Sequence, residues 1–169
     1  AMNIVKPSLI RTSADELTYH FHVLIRYEIE KELIAGNIKV ADLPTIWNKK
    51  YKQYLNVDVP TDEQGVLQDI HWSHGSFGYF PTYSLGSFYA AQFFETAKKE
   101  IPNLETKIEK GDFKELLNWL RKNIHQHGRL FAPEELCEKV TGEKLNFKYF
   151  MNYAKNKYSK LYNLKPIEA

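Results

Sequence analysis

Leu17-Thr18-Tyr19-His20-Phe21-His22-Val23-Leu24-Ile25-Arg26-Tyr27-Glu28-Ile29-Glu30-Lys31-Glu32-Leu33-Ile34 is the stretch on which the fold class turns. Leu17, Tyr19, Phe21, Val23, Ile25, Tyr27 and Ile29 recur at every second position, the pattern of a strand. Three features outweigh that pattern. Ser13-Ala14-Asp15-Glu16 reads as a capping box, with Ser13 as N-cap and Glu16 at the third helical position. The run is far longer than a strand, and it closes on Lys31-Glu32-Leu33-Ile34-Ala35 before Gly36, a good helix stop. The expectation is a helix from Ser13 to Gly36 that is apolar over most of its circumference, as in helices buried inside larger proteins.

The remaining punctuation is helical as well. Asp42 before Leu43-Pro44 opens a second helix with Ile46, Trp47, Tyr51, Tyr54 and Leu55 on one face. Residues 56–81 hold Pro60, Gly65, Gly75 and Gly78 without sustained periodicity, and long irregular stretches inside compact domains are usually functional or disordered. Helix resumes from Thr82 to about Glu100, with Leu85, Phe88, Tyr89 and Phe93 as its apolar stripe. Asp112-Phe113-Lys114-Glu115 reads as another capping box, followed by Phe113, Leu116, Leu117, Leu120 and Ile124 at helical spacing and Gly128 as the stop. Pro133 with Glu134 and Glu135 starts a short helix ending at Gly142. Asn146 caps the last, which carries Phe147, Phe150, Met151, Ala154, Tyr158 and Leu161. No hairpin signal or internal repeat appears, so the fold class is all-α. Ala1-Met2 reads as a cloning scar or start, 3–164 as a single helical domain and 165–169 as a tail.

Composition narrows the functions. The chain has 169 residues, 43% hydrophobic and 26% charged, with 11 Tyr and 10 Phe, a globular profile that argues against disorder. A net charge of only +2 gives no field that recommends nucleic acid or an anionic membrane. Lys148, Lys155, Lys157 and Lys160 interleave with Tyr149, Tyr153, Tyr158 and Tyr162, which at helical spacing reads as a solvated face over an aromatic core. No apolar run approaches the ~20 residues of a membrane span. The single cysteine, Cys137, excludes an internal disulfide framework and fits a reducing cytoplasm.

The chemistry concentrates in Gly65-Val66-Leu67-Gln68-Asp69-Ile70-His71-Trp72 and the following Gly75-Ser76-Phe77-Gly78-Tyr79-Phe80-Pro81-Thr82-Tyr83. A carboxamide, a carboxylate, an imidazole and an indole fall within five positions. Tyr and His can be aimed at a developing negative charge, while glycine lets backbone approach a ligand. His71 and His74 have the i, i+3 spacing of metal pairs but lack a third ligand nearby. His20 and His22 point to different sides of a helix, and His125 and His127 suit a helix C-terminus. There is no His-Glu-x-x-His, no nucleophile triad and no phosphate loop. Arg11, just before a helix start, reads either as a surface partner of Asp15 or as a bidentate clamp for a carboxylate.

Ile-Arg-x-x-Ala-Asp at 10–15 and Gly-x-x-Gln-Asp-x-His-Trp at 65–72 together resemble two signature motifs of the Taq-type zinc metallocarboxypeptidases. The stretches 15–19, 26–30, 42–48 and 77–83 are similar to that family too, with later echoes at Trp119-Leu120-Arg121, Ile124-His125, Gly128 and 140–143. The resemblance implies a cytoplasmic, zinc-dependent, usually dimeric enzyme that removes C-terminal residues from peptides. It also implies a large helical, neurolysin-like body of which this chain aligns with the C-terminal third. The family's His-Glu-x-x-His zinc site would lie in a missing N-terminal part, so no metal ligand is expected here and the chain alone is expected to be inactive. The resemblance assigns Arg11 to the terminal carboxylate of the substrate. It makes His71 a donor to the scissile carbonyl or tetrahedral intermediate, and leaves Tyr79 and Tyr83 both open as the phenolic oxyanion donor. Gln68 and Asp69 would orient His71 or cap backbone, and Asp15 would lock Arg11 or cap its helix. The alternative is a stand-alone helical module that binds peptide C-termini without catalysis. The exposed apolar surface expected of the first helix predicts self-association.

Overall fold

Most helices form close to where the caps and stops predict them, with the start of the first, the end of the fifth and the whole of the fourth as departures, and they position one long irregular segment. In this computed structural model residues 3–165 are described, so the expectations for Ala1, Met2 and 166–169 concern residues outside that range. Among the described residues there are seven α-helices and no strand. They are α1 (Tyr19–Ile34), α2 (Leu43–Leu55), α3 (Pro81–Glu100), α4 (Leu104–Glu109), α5 (Lys114–Asn123), α6 (Pro133–Thr141) and α7 (Lys148–Tyr162). Short 3-10 turns occupy Arg11–Ser13, Val40–Asp42 and His125–His127. The all-α expectation holds. The described residues divide into two compact units, one ending at Leu85 and the other beginning at Gly86.

In the first unit α1 packs on α2 around Ile25, Ile29, Leu43, Trp47, Tyr51 and Leu55. The start of α1 differs from expectation. Ser13 closes a 3-10 turn, and Asp15 supplies the cap. Its Oδ1 accepts the N–H groups of Leu17 (3.0 Å) and Thr18 (2.9 Å), and its Oδ2 accepts the Thr18 hydroxyl (2.7 Å). A carboxylate two and three residues ahead of unpaired amides serves that place better than the hydroxyl of Ser13. Burial alone would raise the Asp15 carboxyl, but these hydrogen bonds hold it below its ordinary value.

The strand-like alternation in α1 has a physical origin. Val23, Ile25 and Ile29 are buried, whereas Phe21, Leu24, Tyr27 and Ile34 are exposed, so apolar residues do occupy two sides of the helix. His22, Arg26 and Glu30, four residues apart, form a third strip, and all three are buried. α1 thus carries His22, Arg26 and Glu30 inward and part of its apolar surface outward.

In the second unit Ala97, Ile101, Leu104 and Trp119 form the core. Asp112 caps as expected by accepting the Lys114 N–H, whereas Glu115 pairs with Lys107 (2.7 Å) instead of completing a capping box. Trp119, absent from the expected stripe, is the anchor of α5, and its indole N–H donates to Glu100 (2.7 Å). Phe113 and Leu117, expected to be apolar contacts, are exposed, as is Leu85 at the end of the first unit. The helix α4 had no sequence signal beyond its flanking turns. Pro133 and Gly142 bound α6 as expected. α7 buries Phe150, Ala154 and Tyr158 but leaves Phe147, Met151 and Leu161 exposed.

Candidate functional site

The irregular segment of the first unit is shaped by close backbone approach. A Cβ on Gly65 would meet Val59 Cγ1 at 2.7 Å and the Thr61 carbonyl oxygen at 3.1 Å. With no side chain there, Asp62 C=O accepts the N–H groups of both Gly65 (3.1 Å) and Leu67 (2.9 Å), and Gln68 follows with a bond to Gly65 C=O (3.1 Å). That turn delivers Gln68 and Asp69 to α1. A second set of turns, Gly75 N–H to Trp72 C=O (3.2 Å) and Ser76 N–H to His71 C=O (2.8 Å), needs the positive φ of Gly75 (+81°).

At the centre two guanidiniums share one carboxylate. Arg11 donates from Nε (3.1 Å) and Nη2 (2.7 Å) to Asp69 Oδ1, and Arg26 Nε donates to Asp69 Oδ2 at 2.6 Å. Gln68 Oε1 accepts the Arg11 backbone N–H (3.0 Å) and Arg26 Nη2 (2.8 Å), while its Nε2 donates to the carbonyls of Leu9 and Gln64, both at 3.0 Å. Arg26 Nη1 donates to the His22 carbonyl (2.8 Å) and the Tyr51 hydroxyl (3.2 Å). Burial would raise the Asp69 carboxyl, yet the Arg11 hydrogen bonds and the Arg26 charge hold it below its ordinary value. Burial likewise opposes the Arg11 charge, and Asp69 overrides it, so that guanidinium stays charged.

The surface reading of Arg11, paired with Asp15, does not describe this arrangement: Arg11 is buried and paired with Asp69. Asp15 caps α1, one of the two roles expected of it. Gln68 does cap backbone. Asp69 engages the two arginines, and the hydrogen bond to His71 comes from elsewhere: Tyr83, whose hydroxyl lies 2.9 Å from His71 Nε2.

His71 and the tyrosines form an aromatic box beside the ion cluster. The imidazole packs on Phe80 (4.3 Å between centroids), Tyr83 (5.8 Å) and Tyr79 (6.0 Å). The Tyr83 ring also lies under the Arg11 guanidinium at 4.9 Å. Burial pushes the His71 pKa below its ordinary value, so the ring is neutral at neutral pH. Its Nδ1 is buried without a hydrogen-bond partner. Tyr79 is 51% exposed. The structure therefore brings Arg11, Gln68, Asp69, His71, Tyr79 and Tyr83 into one region of one unit. Arg26, Tyr51, His22 and Tyr19 belong to the same network and were not singled out from the sequence. Polar residues spaced four apart in an otherwise apolar helix were the signal that could have found His22 and Arg26.

Among the described residues no three His, Cys, Asp or Glu side chains stand close enough to hold a metal ion. His71 and His74 have ring centroids 6.1 Å apart, and no third ligand joins them. A resident metal does not fit the residues of this site.

The family model described as Carboxypeptidase Taq (M32) metallopeptidase matches residues 1–158. Thermostable carboxypeptidase 1 of Thermus thermophilus is 47% identical over 162 residues, covering 96% of this chain and 32% of the relative. Carboxypeptidase 1 of Bacillus subtilis is 46% identical over 164 residues, covering 97% and 33%. The crystal structure of the M32 carboxypeptidase from Deinococcus radiodurans superposes with a TM-score of 0.94 at 43% identity, again covering 97% of this chain and 33% of the other. The chain thus spans about a third of the length of these relatives, corresponding to their C-terminal portion. On these matches, this chain belongs to the Taq carboxypeptidase (M32) family of metallopeptidases.

Proposed function

We propose that this chain is the substrate-facing portion of a zinc-dependent, cytoplasmic carboxypeptidase, and that by itself it neither holds the catalytic metal nor hydrolyses peptides. The observation that carries this reading is the way Asp69 holds Arg11. Asp69 takes the Nε and Nη2 edge of the guanidinium, and Tyr19 takes one N–H of Nη1 (3.2 Å). Of the five N–H groups of an arginine, one on each terminal nitrogen is left over, a pair spaced to receive both oxygens of a carboxylate. Recognition of a chain end needs such a fork at a fixed place, and Asp69 with the Tyr83 face fixes it. Next to it, the neutral His71 ring lies 2.9 Å from the Tyr83 hydroxyl through Nε2, and its buried Nδ1 has no hydrogen-bond partner. When Nδ1 carries the proton, that N–H, or the phenol of the half-exposed Tyr79, suits a developing oxyanion.

The metal's role in the complete enzyme would be to activate water and polarise the carbonyl, on ligands this chain does not contain. The exposed Phe21, Leu24, Tyr27 and Ile34 of α1 support a partner surface, either the remainder of the polypeptide or a second copy. Zinc analysis and a chromogenic-peptide assay test the reading together: less than a tenth of an equivalent of tightly bound zinc and no hydrolysis are expected, and about one zinc per chain would refute it. A second reading, a binding module acting alone, is favoured by the fact that the whole Arg11 network closes within this chain. Calorimetric titration separates the two. Micromolar affinity for a peptide with a free carboxylate, lost on amidation, supports the stand-alone module.

A further inference from the structure

Glu30 lies one helical turn beyond Arg26 on the inward strip of α1 and is buried, with 3% of its surface exposed. Its two oxygens have separate partners. Oε1 accepts the Trp72 indole N–H at 2.7 Å, and Oε2 accepts the Gly78 backbone N–H at 3.2 Å. Those two donors stand at opposite ends of the five-residue excursion Ser73–Phe77. His71 immediately precedes the first donor, and Tyr79 immediately follows the second. Gly78 has φ of +77°, which lets its amide turn towards α1, and Trp72 stacks on Phe77 within the same excursion (6.3 Å, 4° between planes).

A carboxylate this deeply buried is costly unless its oxygens are hydrogen-bonded, and both of these partners are neutral N–H groups of one loop. A hydrophobic residue would fill the same space without that cost, so bare packing does not account for an acid here. We infer that Glu30 is a positioning residue: it clamps both ends of the Trp72–Gly78 loop to α1 and thereby fixes His71 and Tyr79 beside the Arg11 fork. The inference rests on the reading of His71 and Tyr79 as substrate-facing groups, but its geometric content is separately measurable. The division of labour along α1 follows from the spacing, with Arg26 holding the Gln68–Asp69 end of the segment and Glu30 holding the loop beyond it.

The test uses the whole 169-residue chain, isotopically labelled, with the variant Glu30→Gln. A carboxamide of nearly the same size must turn its NH2 group towards one of the two N–H donors, so one arm of the clamp opens. The expected result is Trp72 indole N–H exchange faster by about tenfold, the factor for one lost hydrogen bond. Displaced His71 imidazole and Tyr79 ring resonances and a His71 titration midpoint moved up towards its ordinary value complete the expected pattern. The Trp119 indole, bonded to Glu100 in the second unit, is an internal reference that should not move, and dispersed Ile25 and Ile29 methyl resonances report that the first unit is folded. A second variant, Trp72→Phe, leaves Glu30 and Gly78 in place and should displace His71 more than Tyr79. If either variant folds and leaves His71 and Tyr79 where they are in the parent chain, Glu30 is a structural acid only and the inference falls. Titration with the dipeptide Phe-Leu and its amide separates the two levels. A parent chain that binds neither dipeptide removes the substrate-facing reading, while the resonance shifts still decide whether Glu30 sets the loop.

Discussion

His22 in the first unit and Gln92 in the second are both fully buried polar side chains, and they are satisfied very differently. Gln92 uses its whole amide. Its Nε2 donates to Thr141 Oγ1 (2.9 Å) and to the carbonyls of Lys144 (3.1 Å) and Glu143 (3.4 Å), and its Oε1 accepts the Asn146 N–H (2.8 Å). One neutral residue of α3 thereby ties down the turn between α6 and α7. His22 bonds only Tyr51 through Nδ1 (3.0 Å), and its Nε2 has no partner. It sits among the charges of Arg26, Arg11, Asp69 and Asp15, and the two guanidiniums act on it more strongly than the two carboxylates. The contrast separates a polar contact that completes a fold from a polar cluster held under electrostatic demand, and the second kind marks the candidate site.

The sharpest way to break that contrast is to remove the charge at its centre. Asp69→Ala leaves two buried guanidiniums facing each other without their shared acceptor, and the expected loss is about 3–5 kcal/mol, the range for breaking one side of a buried ion pair. Urea unfolding followed by Trp47 and Trp72 fluorescence measures it. Asp69→Asn, which keeps an acceptor oxygen, should recover part of the loss. A cost below 1 kcal/mol would mean that the guanidiniums find other acceptors and that the cluster is not held by Asp69.

The His22 prediction concerns pH. Burial, followed by the charges of Arg26 and Arg11, lowers its pKa to about 4 from an ordinary 6.5. Above pH 6.5 the ring is neutral in both folded and unfolded chains and stability does not depend on it. Between pH 6.5 and 4 only the unfolded chain takes up the proton, so stability falls with pH across that window, by about 3 kcal/mol in total. Asp69, whose carboxyl is held below its ordinary 3.8, adds its own loss only at lower pH, below about 3.8, where the unfolded chain takes up the proton before the folded one. Comparing the parent with His22→Gln between pH 7 and 4 isolates the histidine. Parallel stability curves would show that it is not the titrating group.

Gln92 supplies the neutral counterpart. Gln92→Leu strands the Asn146 N–H and the Lys144 carbonyl, at an expected cost of about 2 kcal/mol, with no added slope between pH 7 and 4. Hydrogen exchange at the Asn146 amide reads the local opening directly. Equal slopes for the Gln92 and His22 variants would erase the distinction between the two regions.

How much of this was legible follows from the same physics. Caps and stops are local, so α2, α3, α6 and α7 were readable from Pro44, Pro133, Gly142 and Asn146. The start of α1 was misplaced because Ser13 and Asp15 are both competent caps, and only the surrounding backbone selects between them. The motif residues 65–72 were legible as a dense polar run, a carboxamide, a carboxylate, an imidazole and an indole within five positions. The partnerships were not readable: Asp69 meets residues 58 and 43 positions away in sequence. Gln92 was invisible for a similar reason, because its partners lie near the other end of the chain and a lone glutamine in a helix carries no periodic signal.

The smallest expected effect separates charge from burial as the source of the contrast. Lys52 and Asp58 form an ion pair at 2.9 Å within the first unit, nearly the length of the Arg11–Asp69 contact, but their side chains are 53% and 85% exposed. Water screens such a pair, and ordering a long lysine side chain offsets much of the attraction, so Lys52→Ala should change stability by less than about 0.5 kcal/mol. Raising the salt concentration should leave even that difference near zero. The Asp69 variant should keep most of its deficit in high salt, because solvent ions do not reach a carboxylate closed between two guanidiniums and an aromatic wall. A large, salt-sensitive cost at Lys52 would instead assign the stability of this unit to its charges wherever they lie, and the buried cluster would lose its claim to be different in kind.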